Sequence, residues 1–282
     1  MRQQTLIITD PGRAGQEEET FLLQQPVNPP PGIVPFFTTR RGGVSRSGYA
    51  SFNLGLHVGD DQSLVLQNRE RLKQALHPRV HSLCLLQQVH GIRAVVARPG
   101  QGDIPEADAI VTKDTGVAVA VMTADCAPVL LCDPVNRVVG AAHAGWRGAL
   151  FGVVESCIDL METLGANTQH MSAIIGPTIC PPNYEVDTAF YHQFMDYHKP
   201  GHKIIVERFF LSLAISGRFQ FNLPQYLIAR LHARGIPQEG INNVGLCTFQ
   251  DEERFFSYRR SNSRGETGCG RQMGGIALVE AK

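Results

Sequence analysis

Apolar residues along this chain fall into two rhythms, and the alternation between them predicts the elements. Short apolar runs closed by polar or glycine-bearing breaks read as buried strands: Leu83 to His90, Val117 to Cys126 and Arg137 to His143. Other segments repeat their apolar residues at three-and-four spacing, as helices do. The clearest runs from Gly148 to Leu164, with Leu150, Val153, Val154, Cys157, Ile158, Met161 and Leu164 on one face and Gly165 as a stop. A second runs from Pro224 to Arg234, capped by Asn222, with Leu227, Ile228 and Leu231 facing inward and Gly235 beyond its end. A third, Gln62 to Leu76, presents Val65, Asn68, Leu72 and Leu76. Asp133-Pro-Val-Asn136 reads as a turn joining paired strands, which brings Cys126 and His143 toward one end of a hairpin.

Alternating strand-like and helix-like segments predict an α/β fold (α+β in its mixed form). Residues 1–32 form a polar lead-in with an acidic patch at Glu17 to Glu19 and a stop at Pro29 to Gly32. No linker, repeat or low-complexity stretch divides the remainder, so 33–282 is expected to be a single domain.

Composition narrows the partners. The chain balances 26 basic against 26 acidic residues, which gives no electrostatic case for nucleic acid or a membrane surface. No apolar stretch approaches the ~20 residues of a membrane-spanning helix. Seven scattered cysteines without a disulfide spacing, and no leader-like N-terminus, predict reduced thiols and a cytoplasmic protein.

Three of the breaks after apolar runs hold His90, Cys126 and His143. In layered α/β folds such positions converge on a sheet edge, where a thiolate and two imidazoles suit zinc with a fourth position left for water. Each residue taken alone also fits a packed core position. Their spacing is not that of a zinc finger. Around them lie polar groups a plain core does not need. Thr39-Arg40-Arg41-Gly-Gly-Val-Ser45 suits an anion such as phosphate, or is a solvated turn, and Arg147 precedes a helix N-terminus. Asn53, His57 and Asp60 share a glycine-rich loop, and Asp108 and Asp125 stand beside apolar runs where a carboxylate needs a hydrogen bond or a metal partner.

The ordered series Arg40-Arg-Gly-Gly-Val-Ser, Phe52-Asn-Leu-Gly-Leu-His-Val-Gly-Asp-Asp61, Gln88-Val-His-Gly91, Ala107-Asp-Ala109, Thr123-Ala-Asp-Cys126, His143-Ala-Gly-Trp-Arg-Gly148, Ile175-Gly-Pro177, Tyr184-Glu-Val186 and Phe255-Phe-Ser-Tyr-Arg-Arg260 resembles the YfiH family from residue 34 to the C-terminus. Its members are also called polyphenol oxidase (laccase-domain) proteins or purine nucleoside phosphorylases. The resemblance implies a layered sandwich of mixed β-sheets with helices outside. It also implies a zinc-dependent enzyme that cleaves adenosine, inosine, guanosine or methylthioadenosine with phosphate to base and ribose 1-phosphate, and that deaminates adenosine. The family's metal ligands fall on His90, Cys126 and His143. Phosphate or substrate is expected at Arg40, Arg41, Asn53, Arg259 and Arg260, the last two alternatively being surface ion pairs. Asp125, Arg147 and His57 are the catalytic candidates, Asp125 as an orienter of the neighbouring ligand or a proton carrier. Residues 203–220 and the Cys-Gly interruption before Arg271 depart from the family pattern, so no role is carried onto them. Three other readings compete: copper-dependent oxidation of polyphenols, a structural zinc in a binding protein, and a metal-free hydrolase with Cys126 as nucleophile and His143 as base.

Overall fold

The computed structural model describes residues 29–76, 78–100, 105–198, 204–215 and 217–281. Most of the predicted lead-in, 1–28, and residues 203 and 216 of the atypical stretch lie outside the described residues. A four-stranded sheet runs in the order β1 (Ile33–Phe37), β13 (Gln272–Leu278), β5 (Val117–Thr123), β2 (Ser82–Cys84), with β2 parallel to β5 and the other pairs antiparallel. A six-stranded sheet follows the order β12 (Ile241–Asn243), β8 (Ser172–Ile175), β6 (Ala127–Asp133), β7 (Val138–Ala144), β4 (Ala109–Thr112), β3 (Ala94–Val96). Its outer pairs are parallel and its inner ones antiparallel, so the sheet is mixed.

Every residue of β5, β6 and β7 is buried, because both faces of each sheet are covered. The two-residue period of the strands sorts their side chains between layers. Val119 and Val121 of β5 meet Leu130 of β6 and Val139 and Ala141 of β7 between the two sheets. Ala118, Ala120 and Met122 point the other way, toward Leu72 and Leu76 of α1 (Gln62–Leu76). Val129, Leu131, Val138 and Ala142 leave the opposite face of the six-stranded sheet to meet helices α2 (Trp146–Phe151), α3 (Val153–Thr163) and α5 (Leu223–Ala233). The result is helix, sheet, sheet, helix: the expected layered α/β sandwich. Among the described residues, no helix is long and apolar enough to cross a membrane.

α1 and α5 occupy their predicted spans to within a residue, and Asn222 caps α5 by accepting from the Gln225 amide at 3.1 Å. The single helix expected from Gly148 to Leu164 is two. Gly152, at φ 107°, ends α2 and starts α3, a left-handed conformation that costs glycine nothing. Buried Arg230 fills the break, donating to the Leu150 carbonyl at 2.8 Å and to the Tyr226 hydroxyl at 2.7 Å, and pairing with Glu155. The apolar spacing continues through the break because both helices rest on the same sheet face.

The strand expected up to His90 stops at Cys84. Beyond it the chain is irregular, and Gln88 substitutes its side chain for a ladder: its Nε2 donates to the Met122 carbonyl at 2.7 Å and its Oε1 accepts from the Met122 amide at 2.8 Å. A second departure is that the three breaks do not share one sheet edge, since β5 lies in one sheet and β6 and β7 in the other. The apolar character of the atypical stretch is explained by a small sheet, β10 (Phe210–Ser212), β11 (Arg218–Phe221) and β9 (Glu185–Asp187) in that order. It packs on α4 (Thr188–Tyr197), with Tyr191 stacked on Phe219 at 4.5 Å between centroids and Phe210 on Phe221 at 4.8 Å.

Candidate metal centre

Pairing of β6 with β7 sets Ala127 opposite Ala144 and Pro128 opposite His143, so Cys126 and His143 sit at the open end of one hairpin. His90 reaches them from its loop at φ 58°, a left-handed backbone uncommon outside glycine. One nitrogen from each histidine and the Cys126 sulfur all lie within 4.8 Å of one another. The imidazoles meet edge to face, 4.8 Å between centroids. Gly145 makes the space: a Cβ there would stand 3.0 Å from the Cys126 Sγ and 3.2 Å from the His90 Cδ2.

These donors fit a metal. Two imidazole nitrogens and a thiolate are the borderline-soft set zinc prefers, and tetrahedral bonds of ~2.0–2.3 Å would ask only a small contraction of the cluster. His143 is buried, Cys126 half-buried and His90 exposed, so the cluster opens to solvent on the His90 side.

Asp108, fully buried, serves two ligands at once. Its Oδ1 meets the His143 Nδ1 at 2.8 Å, leaving Nε2 for the cluster. Its carboxylate also accepts from the amides of Val89 (3.2 Å), His90 (3.0 Å) and Gly91 (2.7 Å), which pins the His90 loop. Burial alone would raise the Asp108 carboxyl, but His143 and these amides hold it below the ordinary carboxylate range. At Cys126 burial again opposes ionisation, and His143 and His90 overcome it, bringing the thiol down to about 6. Burial would lower His143, yet Cys126 and Asp108 carry it up to about 9. Without metal, the contacts at the centre thus favour the charged form of each partner, thiolate and imidazolium.

Asp125 holds a different set of partners. At φ 90° its carbonyl accepts from the Thr178 hydroxyl (2.6 Å) and the Ile179 amide (3.0 Å). Its carboxylate accepts from the Thr248 hydroxyl and the Arg259 amide, each at 2.6 Å. It thereby ties the residue before Cys126 to the start of α6 (Tyr258–Ser263), and none of its contacts is with a ligand imidazole. Arg259, so placed, donates from Nη1 to the Glu185 carbonyl at 2.9 Å and lies 5.3 Å above the Tyr184 ring. Tyr184 was quoted in the sequence only as part of a motif, yet it borders the centre. Burial raises its phenol, and the nearby Cys126 and Asp125 charges raise it further while Arg259 opposes them.

The other candidates separate by what already occupies them. Arg147 is exposed, its guanidinium 4.5 Å over the Trp146 ring. His57 is exposed beside Arg271 and Arg69; partial burial and those two charges lower its pKa. Arg40 lies 4.7 Å over Phe256 and donates to the carbonyls of Ala50 (2.8 Å) and Glu252 (3.3 Å). Arg41 pairs with Glu253 at 2.7 Å in an exposed position. Two candidates make several hydrogen bonds inside the fold. Asn53 accepts from the amides of Gly55 (3.0 Å) and Arg271 (2.8 Å) and donates to Asp60 at 2.9 Å. Buried Arg260 donates to the carbonyls of Thr248 (2.7 Å), Phe249 (2.9 Å) and Phe255 (2.6 Å), so it is not the surface ion pair the sequence left open.

Residues 34–279 match the model of a family described as multi-copper polyphenol oxidoreductase laccase. A Pseudomonas aeruginosa protein named purine nucleoside phosphorylase is 40% identical over 228 residues, 81% of this chain and 88% of its own. A Haemophilus influenzae protein of the same name is 38% identical over 249 residues, 86% of this chain and 96% of its own. The Neisseria meningitidis protein NMB0706 has a crystal structure that superposes with a TM-score of 0.80 at 35% identity, covering 93% of this chain and all of that one. The Bacillus licheniformis protein YfiH gives a TM-score of 0.79 at 31% identity over 87% of this chain and 92% of its own.

Proposed function

Because this chain belongs to the YfiH family, whose model carries the laccase description, and its relatives are named for another activity, we propose that it is a zinc-dependent purine nucleoside phosphorylase. The observation that carries this reading is the His90, Cys126, His143 cluster, open to solvent on one side, in a chain with a relative of that name 40% identical over 81% of its length. We take 33–282 as one catalytic domain acting in the cytoplasm. The substrates are purine nucleosides (adenosine, inosine, guanosine and methylthioadenosine) with phosphate, and adenosine deamination is a second activity of the same site.

When bound, zinc supplies Lewis acidity at the open side of the cluster. The chain does the rest. Asp108 fixes the His143 tautomer and the His90 loop, so the donor set is organised before an ion arrives. Phosphorolysis passes through a transition state with positive charge on the sugar, against which an anionic phosphate must be held by fixed donors. Arg259, positioned by Asp125 through its backbone amide, and Arg147 are the arginines we assign to that anion. Arg40 and Arg41 are secondary candidates, because carbonyls and Glu253 already engage them. His57, held toward its neutral form, is the candidate proton carrier. Tyr184 supplies a ring face beside Arg259 suited to a flat base.

Two other readings each have one observation behind them. The family description favours copper oxidation, but a multicopper cluster needs several histidine-rich sites, and the described residues bring together one group of three ligands. The chain of contacts from Cys126 to His143 to Asp108 is also that of a thiol hydrolase. Incubation of the purified protein with adenosine and inosine, with and without phosphate, separates the three when metal content is measured in parallel. Phosphate-dependent base release by protein carrying about one zinc per chain is expected. Turnover that survives complete chelation would overturn the zinc mechanism, and silence toward every nucleoside would overturn the phosphorylase reading.

A further inference from the structure

Outside the metal centre, two cysteines, Cys180 and Cys247, come together near the threonines that bond Asp125. Thr178 and Cys247 face each other in a short parallel bridge, the Thr248 amide donating to the Thr178 carbonyl at 3.1 Å. Two residues after Thr178, the Cys180 amide donates to the Cys247 Sγ at 3.3 Å, and the Asn183 side chain donates to the same sulfur at 3.4 Å. The Cys180 thiol sits 3.9 Å from the Thr178 carbonyl. Cys180 is half-buried and Cys247 is 7% exposed. Among the described residues the remaining thiols have other neighbours: Cys126 meets two histidines, Cys132 and Cys157 are buried in separate strand and helix positions, Cys269 is buried in the tail, and half-buried Cys84 is near Ser82 and the Arg98 carbonyl.

A sulfur that accepts several N–H bonds and lies against a second thiol is chemically unlike a packed core cysteine. Contact with Cys180, then the donors Gln250, Cys180 amide and Asn183, bring the Cys247 thiol down to about 5 against the opposing effect of burial. The same contact, with burial, pushes the Cys180 thiol up, so of the two it is Cys247 whose surroundings favour the thiolate.

We propose that Cys180 and Cys247 form a redox-active dithiol that a hydroperoxide converts to a disulfide. The Cys247 thiolate attacks the terminal peroxide oxygen, the O–O bond breaks, and the sulfenic acid forms while the departing oxygen takes up a proton to leave as water (or alcohol). Cys180 then attacks the Cys247 sulfur, its proton and that of the sulfenic acid leaving with the oxygen as water. In total two thiols lose two electrons and the peroxide gains them. Thr248, next to Cys247, donates to the Asp125 carboxylate that positions Arg259, and Thr178, two residues before Cys180, donates to the Asp125 carbonyl, so the pair is joined to Asp125 from both sides.

The test uses the full-length, metal-loaded protein treated with a low molar excess of hydrogen peroxide, denatured in alkylating reagent, digested and analysed by mass spectrometry. The expected product is a Cys180 to Cys247 cross-linked peptide that dithiothreitol removes. In Cys180→Ser the resolving thiol is gone, and dimedone should label Cys247 in this variant and not in the parent. Alkylation of Cys247 by iodoacetamide should also stay level between pH 6 and 8, where an ordinary thiol accelerates about tenfold per unit. Quantitative alkylation of both cysteines after a peroxide dose that oxidises Cys84 would overturn the proposal. So would a Cys247 alkylation rate that climbs about tenfold per pH unit, as an ordinary thiol's does. Both readouts on the parent chain hold even if the variant fails to fold.

Discussion

Asp108 and Asp125 are two buried carboxylates beside the same cluster, and they do different work because their partners differ. Asp108 gathers ligands: one imidazole and three amides of the loop carrying the other. Asp125 gathers structure: two threonine hydroxyls and the amides of Ile179 and Arg259, drawn from segments up to 134 residues away. Proximity to a ligand in sequence therefore says little about which carboxylate serves the metal. Asp125 adjoins Cys126 in the chain, yet Asp108, distant in sequence from His143, is the one that orients a ligand.

The largest change that bears on this contrast removes a ligand outright. Cys126→Ala should lose both the metal and nucleoside turnover, with circular dichroism unchanged, because the sulfur is replaced by a smaller group at a half-buried position. Asp108→Asn comes next. Metal affinity, read by competition with a chelating dye, should weaken by about 10–100-fold, since an amide cannot offer its charge to both His143 and the loop amides. If metal affinity fell as far in Asp125→Asn, the division of labour would be wrong. A drop from pH 7 to pH 6 should weaken metal binding about tenfold in the parent protein, because the ion must displace the proton that His143 keeps up to about 9. The sign is fixed: affinity rises with pH and levels off above that value.

Asp125→Asn sharpens the comparison from the other side. Asparagine tolerates the left-handed backbone at 125 but turns one acceptor into a donor facing the Arg259 amide. We expect metal content to be retained and KM for phosphate to rise by about tenfold, the equivalent of ~1.4 kcal/mol, with a smaller effect on kcat. Smallest of all, Arg41→Ala should change stability by less than ~1 kcal/mol in a denaturant titration, because its pairing with Glu253 is solvent-exposed. A large loss of activity there would move the anion site toward the Arg40 turn.

Local physics wrote much of the fold into the sequence. The Asn222 cap and the three-and-four spacing of α1 and α5 are short-range signals, and the Asp133 turn carries its own hydrogen bonds, its carboxylate accepting from Val135, Asn136 and the Asn136 side chain. The cluster residues stood out because each is a polar break after an apolar run. What stayed hidden depends on distance along the chain. The Gly152 break keeps the apolar rhythm and is marked only by one glycine. The loop before His90 imitates a strand in composition, and its ladder is a glutamine side chain. The partners of Asn53 and Arg260, loop amides for the first and three backbone carbonyls for the second, come from segments the sequence does not connect. Tyr184 and the Cys180, Cys247 pair are assembled from segments that no spacing rule connects.

One more consequence lies in where Cys126 sits. The link Ala124–Cys126 carries the chain from the four-stranded sheet to the six-stranded one, His143 belongs to the second sheet, and His90 is fastened to the first through Gln88. An ion seated there fastens the two layers to each other like a rivet, so its binding energy is also cohesion between sheets. Saturation at a hundred times Kd adds about 2.7 kcal/mol to the folded state. For a chain of this size that is a rise of roughly 5–10 °C in Tm. Thermal denaturation across a panel of divalent metals, with no substrate present, then ranks them by fit to these three donors.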